Sequence, residues 1–458
     1  MKTDMLKALR RLRLPALALA AFLASCTSEL EHEPAPGGGS SQAGEAEVTL
    51  RLQVPGAATA GKTRAITTEA ENKVEDLYIL AFKVGPDAGT ETFDYYTVAR
   101  KGTENLNTGV SQWTASLRPK DYEQTFVMIA NAQGTPDEVN KQIAALVDDG
   151  AGSTFVGEDK ETVLKKLTDK LTANEQTAGF NAKGENDHHP FTMYGQTAAT
   201  KIELGKDVTL TVALHRIVAR VNVNFTGKAA DVANFSAEQV LLYNFNDQAR
   251  VIPDNLGETT NKGYEQTVTI PDDAELYPKT QDGTETVPTY TVTDNKVKNT
   301  IYLFEAAQPK GGTEEEKHVK RPCIIVEGVY EGKSCYYRVD FAKHPAKGDV
   351  TYMDIVRNHS YNITVTNVSG RGSDTAHEAL KSKTANITAS VVEWNDNTVG
   401  NIEFEGDRVL GIATKEYELM RAGGIRLQQV RATTNLKWTA FSRDLPCIHF
   451  SQLCEKPY

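Results

Sequence analysis

Few residues in this sequence have the type and spacing that chemistry needs. Asp187-His188-His189 is the one cluster that invites a metal ion. Adjacent histidines point to opposite sides of an extended chain, and no second ligand set stands at useful spacing, so these residues read as a solvated loop ahead of Pro190. His215 and His359 fall inside strand-like strings and read as packed side chains. Gly37-Gly-Gly and Gly311-Gly312 lack the strand-to-helix context and the Lys-Ser/Thr of a phosphate loop. No Gly-x-Ser-x-Gly occurs, no nucleophile is paired with a base, and Asp148-Asp149 and Asp272-Asp273 read as turns. The chain is not expected to be an enzyme or to hold a metal or cofactor.

The chemistry that remains is done to the chain rather than by it. Lys2, Lys7, Arg10, Arg11 and Arg13 precede a short apolar run, Leu14 to Ala24. That run is too short to cross a bilayer core of about 30 Å as a helix, so residues 1–25 read as a signal peptide. The run ends in Leu23-Ala24-Ser25-Cys26, which resembles the lipobox of bacterial lipoproteins, where the cysteine thiol takes a diacylglycerol. Thr27 and Ser28 follow, with no aspartate of the kind that retains lipoproteins at the inner membrane, so export to the outer membrane is expected. The second target is Arg64-Ala65, in the small-residue stretch Pro55-Gly-Ala-Ala-Thr-Ala-Gly61-Lys62-Thr63 that a protease could enter. Cys323, Cys335, Cys447 and Cys454 show no CxxC spacing. A hairpin turning at Glu331-Gly332 sets Cys335 opposite Gly328 and Cys323 opposite Asp340, so no disulfide joins the first two.

Residues 26–45 hold Glu29, Glu31, Glu33 and Gly37-Gly-Gly-Ser-Ser41 and bury too little to order themselves, so they read as a flexible tether. The formal net charge is −11, and the segment beyond the basic leader is more acidic still. Such a body would not neutralise phosphates, which argues against nucleic acid as a partner.

The elements that position Arg64 come next. Val48-Thr-Leu50-Arg-Leu52-Gln-Val54 alternates apolar and polar residues with period two, the pattern of a half-buried strand. Val74-Glu-Asp-Leu77-Tyr-Ile-Leu80-Ala-Phe82 reads as a second, more buried strand, so the loop 55–65 separates a first strand from the body it completes. Further strands are expected at Phe93–Val98, Trp113–Leu117, Thr125–Ala130 and Val208–Leu214, continuing through Arg216–Phe225. Two helices are expected between them. One is capped by Thr135-Pro136-Asp137-Glu138 and carries Val139, Ile143, Leu146 and Val147; the other runs from about Asp159 to Thr172. Past Gly227 the strands would be Val240–Phe245, Gln266–Ile270, Thr289–Val292, Thr300–Phe304, the cysteine hairpin, Ser360–Val365 and Ala385–Val392. Short strands joined by polar turns predict a mainly β chain of β-sandwich domains, with short helices inserted in the first and a partial β tail. The domains expected are 46–226, with first strand 47–54, then 227–396, followed by an extension over 397–458.

Several strings in this order resemble the fimbrillin family, the type V pilins of the Bacteroidetes. They are Phe191-Thr-Met-Tyr-Gly195, Leu214-His-Arg216-Ile-Val-Ala-Arg220-Val, Ile301-Tyr-Leu-Phe-Glu305, Val356-Arg-Asn358-His-Ser-Tyr361-Asn-Ile-Thr and Ala389-Ser-Val-Val-Glu-Trp394. The resemblance covers residues 26 to about 396 and implies two tandem β-sandwiches, transthyretin-like or immunoglobulin-like, in a fimbrial subunit exported as an outer-membrane lipoprotein through Cys26. It also implies an arginine-specific protease cutting at Arg64, loss of the first strand, and a donor strand from a neighbouring fimbrial subunit in the groove left behind, in support of adhesion.

The physics of that mechanism stands without the family. Val48, Leu50, Leu52 and Val54 represent roughly 6–12 kcal/mol of gross burial. An emptied groove exposes that surface together with unpaired backbone groups, which only another strand satisfies. Two alternatives come from other classes: an anchor of the same family that keeps its lipid and first strand, and a surface glycan-binding lipoprotein. The tail, with Asn401–Glu405, Tyr417-Glu-Leu-Met, Gly423-Gly424, Ile425–Val430 and Thr433 to Trp438, looks like the first half of a BACON-type module. It reads either as a truncated extra domain or as donor strands.

Overall fold

The computed structural model describes residues 44–54, 71–87, 89–106, 110–135, 138–148, 150, 152, 154–180, 190–231, 233–254, 268–279, 282–343, 349–395, 401–405, 408–412 and 432–434. The chain is mainly β. Strands β1 (Ala46–Gln53), β2 (Leu77–Val84), β3 (Glu91–Val98), β4 (Arg100–Asn105), β5 (Val110–Leu117), β6 (Gln124–Ala130), β7 (Thr168–Lys170), β8 (Met193–Gln196), β9 (Val208–Ala213) and β10 (His215–Arg216) come first. They form two main sheets, ordered β4-β5-β1-β9 and β10-β8-β6-β2-β3. The alternating side of β1 and the facing sides of β2 and β6 enclose one apolar core. The opposite faces of β2 and β6 are also covered, by Val139, Ile143, Leu146, Val163, Leu164, Leu167 and Leu171. Burial on both faces explains why Gln124–Ala130 is apolar without alternation beyond its first two residues, whereas β1 alternates strictly.

The second half adds β11 (Ala219–Phe225), β12 (Phe235–Tyr243), β13 (Phe245–Asn246), β14 (Gln248–Arg250), β15 (Leu276–Tyr277), β16 (Thr289–Thr291), β17 (Lys296–Leu303), β18 (Cys323–Tyr330), β19 (Lys333–Asp340), β20 (Ala342–Lys343), β21 (Thr351–Tyr352), β22 (His359–Val368) and β23 (Ile387–Asn395). Its main sheets run β17-β11-β22-β23 and β16-β12-β18-β19. The β18–β19 hairpin has the expected register, with Cys335 opposite Gly328 and Cys323 opposite Asp340. Glu331 and Gly332 both take positive φ in its turn, and both cysteines are buried and free. In the tail, β24 (Asn401–Glu405), β25 (Arg408–Ile412) and β26 (Ala432–Thr434) form a small antiparallel sheet.

The two halves share a plan. β1 lies between antiparallel β5 and parallel β9, and β11 lies between antiparallel β17 and parallel β22. Each half therefore begins with a strand slotted into the middle of a sheet. They differ in how that strand is joined to the next: residues 226–234 connect β11 to β12, whereas the far longer stretch 54–76 connects β1 to β2.

Several expectations change. The strand ending at Phe225 belongs to the second half, so the changeover falls at Ile217–Val218 rather than at Gly227, because β11 finds both its partners in β17 and β22. The helix expected over Asp159–Thr172 ends at Leu164, after which Thr168–Lys170 pairs with β14, while Thr172 caps a separate helix, Ala173–Ala178. The helix at Val139–Ala145 has no capping box: Glu138 sits in the left-handed region, and the Thr135 hydroxyl accepts from the Val139 N–H at 2.9 Å instead. Val147, expected on its apolar stripe, is exposed. The described part of Gln266–Ile270 is not a strand.

A candidate strand-exchange groove

Strand β1 is paired along its whole length. Eight of its residues face β5, from Ala46 opposite Leu117 to Gln53 opposite Val110, and Val48 to Gln53 also face β9 from Val208 to Ala213. The Leu214 N–H donates to the Gln53 carbonyl at 2.8 Å and closes the far end. On the inward side Val48, Leu50 and Leu52 are 0% exposed and Val54 is 2% exposed, so all four contribute the full burial expected of them. They meet Trp113 and Leu117 of β5, Leu210 and Val212 of β9, and Ile79, Phe126 and Met128 across the sandwich. On the outward side Glu47 pairs with Arg100 at 3.0 Å, but both are more than half exposed and the pair contributes little. Arg51 lies within β1 with its backbone laddered on both sides, opposite Gln112 and Thr211.

This placement defines what the loss of β1 would leave. β5 and β9 would face each other across a gap one strand wide, each with unpaired N–H and C=O groups, above an apolar floor. Because β5 and β9 run in opposite directions, an occupant must run parallel to one and antiparallel to the other, as β1 does, and carry aliphatic side chains at every second position. Gly195 on β8 helps to set the β9 wall: a Cβ there would lie 2.3 Å from the Ala213 carbonyl oxygen and 2.6 Å from Val212 Cγ1.

The body holds the chain firmly at Glu71. The Arg220 guanidinium donates to both Glu71 carboxylate oxygens, at 3.0 and 2.8 Å, and the Tyr302 hydroxyl donates to Oε1 at 2.5 Å. Arg216 Nε donates to the Glu71 carbonyl at 2.9 Å and Nη2 to Asn72 Oδ1 at 2.5 Å, while Asn358 Oδ1 accepts from the Arg216 N–H at 3.2 Å. Burial alone would raise the Glu71 pKa, but Arg220, Arg216 and the Tyr302 hydroxyl outweigh it and hold the carboxyl below its ordinary value. A little further on, the Asp76 carboxylate accepts from the N–H groups of Ala132 and Gln133, at 2.8 and 3.2 Å. A second buried pair, Glu305 with Arg357 at 2.7 Å, stands nearby in sequence to these residues, and Arg357 Nη1 also donates to the Val251 carbonyl.

Cys26, Arg64, Ala65, the remainder of the 55–65 loop, Asp187-His188-His189, Cys447, Cys454 and the Tyr417–Val430 stretch lie outside the described residues. Among the described residues no group of His, Cys, Asp and Glu is placed to hold a metal. Burial pushes the Cys323 thiol up to about 12, which makes it unreactive at neutral pH. Sequence reading missed Glu71 and Asn72, which sit in an unremarked polar stretch. Their partners Arg216, Arg220 and Tyr302, and Asn358, which accepts from Arg216, were visible only as members of the family-like strings.

No family model matches the chain, and no curated protein matches it. Among solved structures it is similar to a candidate cell adhesion protein from Bacteroides eggerthii, with 16% identity, 78% of this chain and 98% of that one covered, and a TM-score of 0.40. It is also similar to a fimbrial assembly protein from Parabacteroides distasonis, with 14% identity, coverage of 70% and 91%, and a TM-score of 0.35. A third is the fimbrial anchor protein Mfa2 from Porphyromonas gingivalis, with 13% identity, coverage of 76% and 96%, and a TM-score of 0.31. The chain's own architecture is mainly β.

Proposed function

We propose that this chain is a structural subunit of cell-surface fimbriae that assembles by strand exchange and supports adhesion. It is exported as a lipoprotein through Cys26, cut after Arg64 by an arginine-specific protease, and deprived of β1. The opened groove then receives a strand from another fimbrial subunit. The observation that carries this reading is the position of β1 between β5 and β9, ahead of a connection, 54–76, much longer than its counterpart after β11. The burial energy held in Val48, Leu50, Leu52 and Val54 would drive polymerisation with no nucleotide. No catalytic residue, metal or cofactor enters the mechanism.

The second reading is an anchor that keeps its lipid and its first strand, and it is favoured by the complete pairing and burial of β1 in the intact chain. One measurement separates the two: intact mass and N-terminal sequence of the protein purified from the cell surface. A mature chain beginning at Ala65 supports the polymerising subunit. A lipidated chain beginning at Cys26 overturns it in favour of the anchor.

A further inference from the structure

We infer that the buried contacts of Glu71 and Asn72 with Arg216, Arg220 and Tyr302, with Arg216 held in turn by Asn358, form a retaining clamp, which fixes the point beyond which the N-terminal segment cannot leave the body. The clamp gives strand removal its boundary and rests on that reading for its purpose, but its physical action is testable without it.

The geometry is specific to this task. Glu71 and Asn72 belong to the stretch that leads into β2; Arg216, on β10, grips them from the first half, and the other groups of the clamp lie in the second half. Arg220 is on β11, Tyr302 on β17, and Asn358 immediately before β22. Both the side chain and the carbonyl of Glu71 are engaged, so the backbone as well as the carboxylate is held. None of these partners lies on β1, β5 or β9, so emptying the groove removes none of the clamp's contacts. Without such a hold, a chain severed ahead of Glu71 would fray from its new end into β2, which forms the other side of the groove's core.

Lys73 is a natural reporter. Its side chain is 46% exposed, yet both groups of the Lys73–Val74 peptide are engaged: the Lys73 carbonyl accepts from Asn131 Nδ2 at 2.9 Å, and the Val74 N–H donates to Glu104 Oε1 at 3.2 Å. The test is a trypsin time course on the full chain, with cleavage at Lys73–Val74 and at Lys83–Val84, inside β2, followed by mass spectrometry. Glu71→Ala should raise the rate at Lys73 by about tenfold or more while Lys83 stays protected, as expected when charge-assisted bonds holding a locally opening segment are lost. Tyr302→Phe, which removes a single hydroxyl, should raise it roughly threefold. Leu50→Ala, which loosens β1, should leave Lys73 unchanged. A folded Glu71→Ala protein with wild-type cleavage at Lys73 overturns the clamp, as does a Leu50→Ala protein that exposes Lys73 equally. Should Glu71→Ala expose Lys83 as well, the Tyr302→Phe rate decides: no rise at Lys73 overturns the clamp. Retention of β1 on the cell surface would sink strand removal and leave these rates unaffected.

Discussion

Leu50 stands directly opposite Trp113 in the antiparallel ladder, and both side chains are fully buried at the centre of the first sandwich. Leu50 also faces Leu210 across the parallel ladder, so one residue touches both walls of the groove and its floor. Truncation there tests how much stability β1 contributes. Leu50→Ala should cost about 2–5 kcal/mol in denaturant unfolding of the full chain, with faster amide exchange in β5 and β9. A loss below about 1 kcal/mol would mean that β1 is not a working part of the core.

Arg64→Ala bears on the assembly proposal itself. The surface protein should stay at the mass of the lipidated precursor, and the yield of filaments on electron micrographs should fall sharply. Ordinary filaments at ordinary yield, with no alternative trimming nearby, would end the strand-removal mechanism.

Gly195→Ala probes the β9 wall. The added carbon would meet the Ala213 carbonyl at 2.3 Å, a backbone atom that cannot swing aside, so β9 must shift. A cost of about 1–3 kcal/mol is expected in thermal or denaturant melts, and it should be felt most in amide exchange of β9. An unchanged melt would show that the wall yields freely.

Arg357→Ala leaves Glu305 buried without its cation, since Arg357 is fully buried and Glu305 nearly so. Breaking such a pair from one side costs about 3–5 kcal/mol, and a variant melting within a few degrees of wild type would contradict the assignment of this contact as structural.

The pH dependence has a definite sign. Burial raises the Asp76 carboxyl from an ordinary 3.8 to about 6, in spite of the two N–H groups that donate to it. Its folded pKa lies above its unfolded one, so its stabilising contribution is complete below pH 3.8 and is lost as pH rises through about 6. Glu71 works in the opposite direction: its pKa is lowered, so its contribution is present above 4.5 and is lost on acidification through its folded value. Asp76→Asn should therefore flatten the fall in stability between pH 4 and pH 6, as followed by urea midpoints. The same slope in wild type and variant would remove Asp76 from the account.

Local order was legible where one residue's neighbours in sequence decide its fate. The strict alternation of Val48 to Val54 predicts a strand with one buried side, and a turn at Glu331-Gly332 fixes the whole register of the hairpin around it. Contacts between distant segments were not legible. Arg216-Ile-Val-Ala-Arg220-Val reads as a continuation of the preceding strand, yet the chain changes halves within it, because β11 gains more from β17 and β22 than from extending β9. The apolar residues Val163, Leu164, Leu167 and Leu171 have helical spacing, but pairing of Thr168–Lys170 with β14 overrides it while keeping all four buried. Glu71 carries no local mark at all, since its role is set by arginines far along the chain.

The unequal connections behind β1 and β11 carry a consequence for any polymer built from this chain. β11 is stitched to β12 by residues 226–234, so under the proposed mechanism the second sandwich would keep its own central strand and the first alone would be vacated. Each link would then offer a single socket, and a growing fibre would lengthen in one line without forking.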